Sequence, residues 1–201
     1  MDIDKTIESL IRKGYTVSYF EDTEAAARYL DSSIDNKSIG FGDSLTLSSM
    51  ALSKRLSAHN KVFDPQSCSN KADFIDIAKK CLRTEIFITS SNALSENGEI
   101  INIDGTGNRL SGSIFGHEKV YYVIGINKIV STLEEAIWRA KNIAAPKNAK
   151  RLRLNTPCAV EGERCYDCSS PERICNAMLI NFRKINDMDV EIVIINEKLG
   201  L

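Results

Sequence analysis

The stretch Lys119-Val120-Tyr121-Tyr122-Val123-Ile124-Gly125 decides the fold of this chain. Its β-branched and aromatic residues indicate a strand in the core of a sheet. The helix expected after it begins at a capping box formed by Thr132 and Glu135, and Pro146 is expected to end it. The apolar face of this helix comprises Leu133, Ala136, Ile137, Ala140 and Ala144. A core strand followed by an amphipathic helix is the repeating unit of an α/β fold.

The same alternation extends in both directions from this pair. Strands are also predicted at residues 15–20, 37–41, 61–63, 85–89, 99–103, 177–183 and 190–195. Helices are predicted at residues 3–11, 24–30, 45–56, 74–82, about 110–115 and 147–154, and a loop at residues 90–98. Strands that alternate with helices predict an α/β fold, with a mostly parallel sheet covered by helices on both faces.

The chain is predicted to form a single domain over residues 1–201. This length supports one sizeable core and is short for two domains. No repeat, low-complexity tract or linker divides the sequence. Within the domain we distinguish a short N-terminal helical segment, about residues 1–31, and a cysteine-rich loop, residues 155–175.

Composition and charge exclude several classes of protein. The chain has 26 Lys and Arg against 27 Asp and Glu, a formal net charge of −1. That balance argues against a protein built mainly to hold nucleic acid. No apolar run approaches the roughly 20 residues of a membrane span, and the acidic start Met1-Asp2-Ile3-Asp4 does not look like a signal peptide. We therefore expect a cytoplasmic protein whose thiols stay reduced.

Four of the six cysteines fall in the cysteine-rich loop, with the spacing C-x6-C-x2-C-x6-C. A C-x2-C pair can present both sulfur atoms to one metal from a tight turn. The spacing therefore predicts a metal or iron–sulfur site, but it does not choose between zinc and iron. Its candidate ligands are Cys158, Cys165, Cys168 and Cys175.

Two alternatives remain for these four cysteines. They could form a disulfide pair or a redox switch, or they could be inert thiols packed in a loop. The other two cysteines carry no such pattern. Cys81 lies on the apolar face of a predicted helix and is expected to pack in the core, and Cys68 has no assigned role.

Two glycine-rich junctions, residues 40–44 and 104–109, each follow a predicted strand. Ligands bind at the carboxyl ends of the strands in such sheets, and glycines let backbone N–H groups approach an anion. The candidate ligand-binding residues are Gly40, Gly42, Ser44, Asp104, Gly105, Thr106, Gly107, Asn108 and Arg109. Neither junction has the Walker or the Rossmann pattern, and the alternative is a pair of turns whose polar side chains cap helices. Asp43 and Asp104 are the candidate acid/base groups.

Three of these stretches together resemble the lactate-utilisation (LUD) domain family, in particular its small single-domain members. They are I-G-F-G-D-S-L-T-L (39–47), I-N-I-D-G-T-G-N-R (101–109) and T-P-C…C-x-x-C-S-S-P-E-R-I-C (156–175). N-K-I-V…L-E-E-A-I-x-R (127–139) and A-A-P-x-N-A-K-R-L (144–152) also fit that family. The resemblance covers the chain from about residue 37 to its end.

The resemblance implies a fold similar to that of sugar-phosphate isomerases and CoA transferases. It also implies a link to bacterial L-lactate oxidation, in which family members act in an iron–sulfur-containing assembly. This sequence lacks the C-x2-C-x2-C runs of the larger members, so electron transfer would involve other lactate-oxidation subunits. A homo-oligomer is also compatible with the resemblance.

The leading hypothesis is a protein that binds a small anionic metabolite at the two glycine-rich junctions, with iron–sulfur or zinc at the cysteines. The ligand would be a hydroxy or keto acid, a phosphosugar or a CoA ester. One alternative is a stand-alone isomerase or transferase that uses Asp43 or Asp104 as its acid/base. The other is a non-catalytic subunit in which a structural zinc ties down the C-terminal strands.

Overall fold

Lys119–Gly125 forms a strand inside a six-stranded parallel sheet in the computed structural model, which describes residues 1–161 and 164–201. The strands are β1 (Thr16–Phe20), β2 (Ser38–Phe41), β3 (Lys61–Phe63), β4 (Ile86–Thr89), β5 (Ala93–Ser95), β6 (Ile100–Asp104), β7 (Lys119–Gly125), β8 (Ile129–Val130), β9 (Ala177–Asn181) and β10 (Asp189–Ile195). The main sheet has the order β1-β10-β7-β4-β2-β3, and each neighbouring pair is parallel.

Side chains of β4, β7 and β10 point alternately to the two faces of this sheet. Ile88 and Val123 belong to an apolar cluster on one face, and Phe87, Tyr122 and Ile192 belong to a cluster on the other. Burying each such side chain contributes roughly 1.5–3 kcal/mol. The predicted α/β fold, with its mostly parallel sheet covered on both faces, is confirmed.

Helices supply the outer layers. They are α1 (Ile3–Arg12), α2 (Thr23–Ser33), α3 (Leu45–Ser49), α4 (Leu52–Leu56), α5 (Lys71–Cys81), α6 (Asn108–Ile114), α7 (Leu133–Arg139), α8 (Ala145–Arg151) and α9 (Pro157–Glu161). Leu30 of α2 and Leu47 of α3 enter one apolar cluster, while Leu10 of α1 and Cys81 of α5 enter the other. The described helices include none whose length and apolar character would allow it to span a membrane.

A second, four-stranded sheet was not anticipated from the sequence. It has the order β8-β5-β6-β9, with antiparallel pairing of β6 to both β5 and β9. Residues 90–98, predicted as a loop, contain β5 and a turn in which Gly98 has a φ of +89°. The strand predicted at residues 177–183 corresponds to β9, which pairs with β6 and does not belong to the main sheet.

Two predicted helix boundaries are wrong. The helix predicted at residues 45–56 divides into α3 and α4, because Ala51 takes a left-handed conformation with φ of +49°. Pro146 does not end the helix that precedes it. A π-helical turn, Ala140–Ala144, leads directly into α8, where Pro146 lies in the first turn. The wider π turn accommodates a residue that cannot donate a backbone hydrogen bond.

Gly40 marks the closest approach of α5 to the main sheet. A Cβ atom at this position would lie 2.8 Å from the Cα, Cβ and carbonyl oxygen atoms of Cys81. Those atoms belong to a packed helix and its backbone, so they cannot move aside as a flexible side chain could. Gly40 therefore has a packing role between β2 and α5.

We predict that Gly40→Ala lowers the free energy of unfolding by about 1–3 kcal/mol, because the added methyl group overpacks the contact with Cys81. Urea denaturation measures this loss. The comparison variant is Gly107→Asn: a Cβ atom there would meet no other atom within 4 Å, so its loss reflects only the φ of +89°, which asparagine adopts more readily than most residues, and should be smaller. Equal stability of Gly40→Ala and the wild type would contradict the packing role.

Candidate functional site

A polar cavity of about 150 Å³ opens at the carboxyl end of the main sheet. Residues directly after three of its strands line this cavity: Asp43 and Ser44 follow β2, Ser90 and Ser91 follow β4, and Lys128 follows β7. The loop after β6 of the second sheet closes another side, through Asp104, Gly105, Thr106, Asn108 and Arg109. We call this space the polar cavity. Residues of the two glycine-rich junctions thus line one cavity.

Three of the predicted ligand-binding residues do not line the polar cavity. Gly40 packs against Cys81, and a Cβ atom at Gly42 would lie 2.6 Å from the Oγ1 atom of Thr89. Gly107 provides the left-handed turn before α6. These glycines shape the walls by close packing and backbone conformation. The ligand-binding assignment of the remaining residues stays a prediction.

Asp104 organises its own loop. Its Oδ1 atom accepts hydrogen bonds from the backbone N–H groups of Thr106 at 3.0 Å and Gly107 at 3.2 Å. Its Oδ2 atom accepts from the N–H group of Arg109 and lies 3.2 Å from the Nε atom of the same residue. The backbone donors expected to meet an anion are therefore bonded to Asp104. In this loop the Arg109 guanidinium, which also donates to the Ile103 carbonyl, is the group that carries positive charge.

Lys128 was not among the residues singled out from the sequence. Its side chain is 3% exposed, and its Nζ atom donates to the Oγ1 atom of Thr46 and the Oγ atom of Ser90, each at 2.9 Å. Within the described residues it forms no ion pair. Burial, with smaller contributions from the charges of Arg139 and Arg109, lowers the pKa of Lys128 to about 7. The sequence feature that could have identified Lys128 is its position, three residues after the predicted core strand that ends at Gly125.

Arg139 adds a second buried cation beside Lys128. It lies on α7, is 5% exposed, and donates to backbone carbonyls of Asn127, Asn92 and Leu201. Burial lowers its pKa to about 10, so it stays charged at neutral pH. Among the described side chains, no carboxylate pairs with it. Arg139 therefore keeps a positive charge close to Lys128, and no side-chain carboxylate of the described chain pairs with either residue.

The carboxylates near the polar cavity are already engaged. Asp104 pairs with Arg109, and Asp43 accepts a hydrogen bond from the side-chain amide of Gln66. The Oγ atom of Ser91, by contrast, is buried with no hydrogen-bond partner within residues 1–161 and 164–201. Ser91 also lines the cavity. A polar ligand with negative charge could accept hydrogen bonds from the Ser91 hydroxyl and from Lys128, which both line the cavity.

A second cavity, of about 250 Å³, is lined by all four cysteines of the cysteine-rich loop. We call it the cysteine cavity. All six cysteines lie in the described part of the chain and are free thiols. Cys68 lies outside the cavity, and Cys81 is buried in the core as predicted. The structure thus brings together the four cysteines that the spacing grouped.

Arg173 provides the best evidence on whether the cysteine cavity suits a metal or cluster. It donates to the backbone carbonyls of Cys168 at 2.6 Å and Cys175 at 2.9 Å, and contact with Cys175 raises its pKa. Its Nε atom is buried without a partner in the described chain. The Asp167 N–H group donates to the Sγ atom of Cys165 at 3.4 Å. Positive charge and N–H donors beside the sulfur atoms would stabilise the negative charge of a metal site built from cysteine ligands.

The sulfur atoms do not form a ready-made chelating cluster. Across residues 1–161 and 164–201, no three His, Cys, Asp or Glu side chains are arranged to hold a metal ion. To coordinate one metal or cluster, the four sulfur atoms would have to move closer to one another within the cysteine cavity. The donor set fits iron–sulfur or zinc, and the metal site stays a prediction.

The two cavities are neighbours. Ile103 and Ala145 line both of them. The backbone N–H group of Asn176 donates to the Asp104 carbonyl at 3.0 Å, and its side chain donates to the Gly105 carbonyl at 3.1 Å. A Cβ atom at Gly105 would lie 3.1 Å from the Cα atom of Ile174. The end of the cysteine-rich loop is therefore packed directly on the loop that lines the polar cavity.

Comparison with known proteins agrees with this architecture. A family model described as the LUD domain matches residues 3–195, which confirms the resemblance drawn from the sequence motifs. The structure is similar to the crystal structure of a DUF162 family protein from Deinococcus radiodurans, with a TM-score of 0.55 and 9% sequence identity. The similarity covers 96% of this chain and 95% of that chain, and at this identity it shows the fold alone. No curated protein matches the chain in sequence.

We predict that Asp104→Asn lowers the free energy of unfolding by about 1–3 kcal/mol, because charge-assisted hydrogen bonds to three backbone N–H groups are weakened. Urea denaturation at neutral pH measures the change. In the control variant Asp43→Asn we expect a loss below about 0.5 kcal/mol, since that carboxylate accepts from one side-chain amide. Equal effects of the two substitutions would contradict a loop-organising role for Asp104.

Proposed function

Because the chain belongs to the LUD domain family, we propose that it is a lactate-utilisation-related protein that binds a small anionic metabolite in the polar cavity. The sequence leaves three ligand classes open: a hydroxy or keto acid, a phosphosugar and a CoA ester. A cavity of about 150 Å³ favours the first class, because it is small beside the roughly 300–1,000 Å³ typical of drug-sized ligands. The proposed ligand is therefore a short hydroxy or keto acid.

The observation that carries this proposal is the buried amine of Lys128, which lines the polar cavity close to Arg139 and has no side-chain carboxylate partner in the described chain. An unpaired buried charge costs several kcal/mol of folding free energy unless a ligand compensates it. A bound carboxylate would offset that cost. The free Ser91 hydroxyl would supply a further hydrogen bond to the ligand.

We propose in addition that Cys158, Cys165, Cys168 and Cys175 hold iron–sulfur or zinc. A bound iron–sulfur cluster would supply one-electron transfer, whereas zinc would stabilise the loop. Arg173 supports either reading, since its guanidinium faces the cysteines with a free N–H group. Electron transfer would require partner subunits with further centres, because the chain has no ferredoxin-type cysteine runs.

Replacement of Arg109 by alanine should weaken binding of L-lactate or pyruvate by about 1–3 kcal/mol, because a charged donor is lost. The Asp104 carboxylate would also be left without its ion-pair partner at the cavity wall. Isothermal titration calorimetry measures the affinity. Arg55→Ala is the matched control, since Arg55 pairs with Glu24 away from the cavity.

Unchanged affinity in Arg109→Ala would remove Arg109 from the site. If the wild-type protein bound neither acid, the proposed ligand class would be wrong. A loss of affinity in both Arg109→Ala and Arg55→Ala would indicate a nonspecific charge effect rather than a site.

Protein purified without oxygen should contain iron with acid-labile sulfide, or stoichiometric zinc, bound by the cysteine cavity. Elemental analysis, a sulfide assay and the visible absorption spectrum distinguish the two. Cys165→Ser should lose the metal, whereas Cys68→Ser should retain it because Cys68 lies outside the cysteine cavity. Metal-free wild-type protein with titratable thiols would contradict the metal proposal and leave the polar cavity unaffected.

A further inference from the structure

Lys128 has features that anion binding alone does not explain. A cation that only attracts a carboxylate could stand at the rim of the cavity, where water would keep it charged at little cost. Lys128 is instead held at 3% exposure, among hydroxyl groups and beside a second cation. This is the environment that makes a lysine amine neutral and nucleophilic near neutral pH.

The backbone that carries Lys128 is fixed from both sides. It lies at the end of a 3₁₀ turn, Ile126–Lys128, directly after β7. The side-chain carbonyl of Asn127 accepts a hydrogen bond from the Leu199 N–H group at 2.9 Å. A Cβ atom at Gly125 would lie 2.7 Å from the Glu197 carbonyl oxygen, so the C-terminal segment packs tightly on this turn. Lys128 is therefore positioned rigidly at the cavity.

The Nζ atom of Lys128 has one coordination position left. Thr46 and Ser90 occupy two positions, each at 2.9 Å, and within the described residues no third partner lies within hydrogen-bond distance. The third position carries a proton in the charged form and a lone pair in the neutral form. Since Lys128 lines the polar cavity, that lone pair can be directed towards a bound molecule.

We propose that Lys128 forms an imine with the carbonyl group of a short 2-keto acid bound in the polar cavity. This inference rests on the proposed function and names the ligand class and the reacting residue within it. The amine nitrogen attacks the carbonyl carbon and forms a carbinolamine. The carbonyl oxygen then leaves as water with the two amine hydrogen atoms, and a carbon–nitrogen double bond remains. No oxidant, reductant or metal takes part in this step.

The charged groups around Lys128 favour the neutral amine that imine formation requires. Arg139 approaches Lys128 from α7 and Arg109 from α6, and both disfavour its protonated form. The other charged groups at the cavity are Asp43, Asp104 and Arg151. Because burial lowers its pKa to about 7, Lys128 has a neutral fraction at neutral pH, whereas Arg139 keeps its charge. The site can therefore attract the carboxylate and still present a neutral amine to the keto group.

The test is reductive trapping on the full-length protein. The protein is incubated with pyruvate and cyanoborohydride, which reduces the imine to a stable secondary amine, and then analysed by intact mass and peptide mapping. We expect one adduct per chain, on Lys128, with the mass of pyruvate minus water plus two hydrogen atoms. The rate of trapping should rise between about pH 6 and about pH 8, as the amine loses its proton.

Matched controls separate the reaction from binding. L-Lactate carries the same charge as pyruvate but has no keto group, so it should give no adduct. Lys128→Arg keeps the positive charge and should lower trapping at least about tenfold, because a guanidinium does not form the imine. Lys147→Arg changes an exposed lysine and should leave the Lys128 adduct intact.

Three outcomes would decide the proposal. Pyruvate binding in calorimetry without any adduct would overturn the imine and leave the proposed function standing. If pyruvate neither bound nor formed an adduct, both the imine and the proposed function would be wrong. If the peptide map showed adducts on exposed lysines and none on Lys128, the proposed imine at Lys128 would also be wrong. Peptide mapping of the wild-type protein decides this point even if Lys128→Arg fails to fold.

Discussion

The parallel alignment of β2, β4 and β7 is the constraint on which the site depends. Because these strands run in the same direction, the residues that follow them reach the same edge of the sheet. Asp43, Ser90 and Lys128 are far apart in the sequence but line one cavity there. The hydrogen bonds from Lys128 to Ser90 and Thr46 span 38 and 82 residues of sequence. No local element could produce that arrangement.

The second sheet connects this edge to the cysteine-rich loop. β6 contributes Ile103 to the wall between the two cavities and ends at Asp104, which organises the adjoining loop. β9 pairs with β6 directly after the cysteine-rich loop, so the position of the cysteines relative to the polar cavity is set by strand pairing. The polar cavity and the cysteine cavity therefore share two apolar lining residues, Ile103 and Ala145.

The electrostatic character of the site depends on which of its charged side chains form ion pairs. Asp104 compensates Arg109, whereas Lys128 and Arg139 are buried without side-chain carboxylate partners in the described chain. A chain with a net charge of −1 thus contains a locally positive interior region. Burying a charged group without a compensating partner lowers the free energy of unfolding.

Local sequence patterns are enough to predict the alternation of strands and helices, the core strand at residues 119–125, the two polar junctions and the grouping of four cysteines. These features depend on local periodicity, turn chemistry and spacing, which neighbouring residues encode. Only the tertiary structure decided that Gly40 packs on a helix, that Asp104 binds the backbone donors of its own loop, and that Lys128 enters the cavity. Each of these depends on the order of strands and on contacts between distant segments. Local sequence patterns do not predict contacts between residues that are far apart in the sequence.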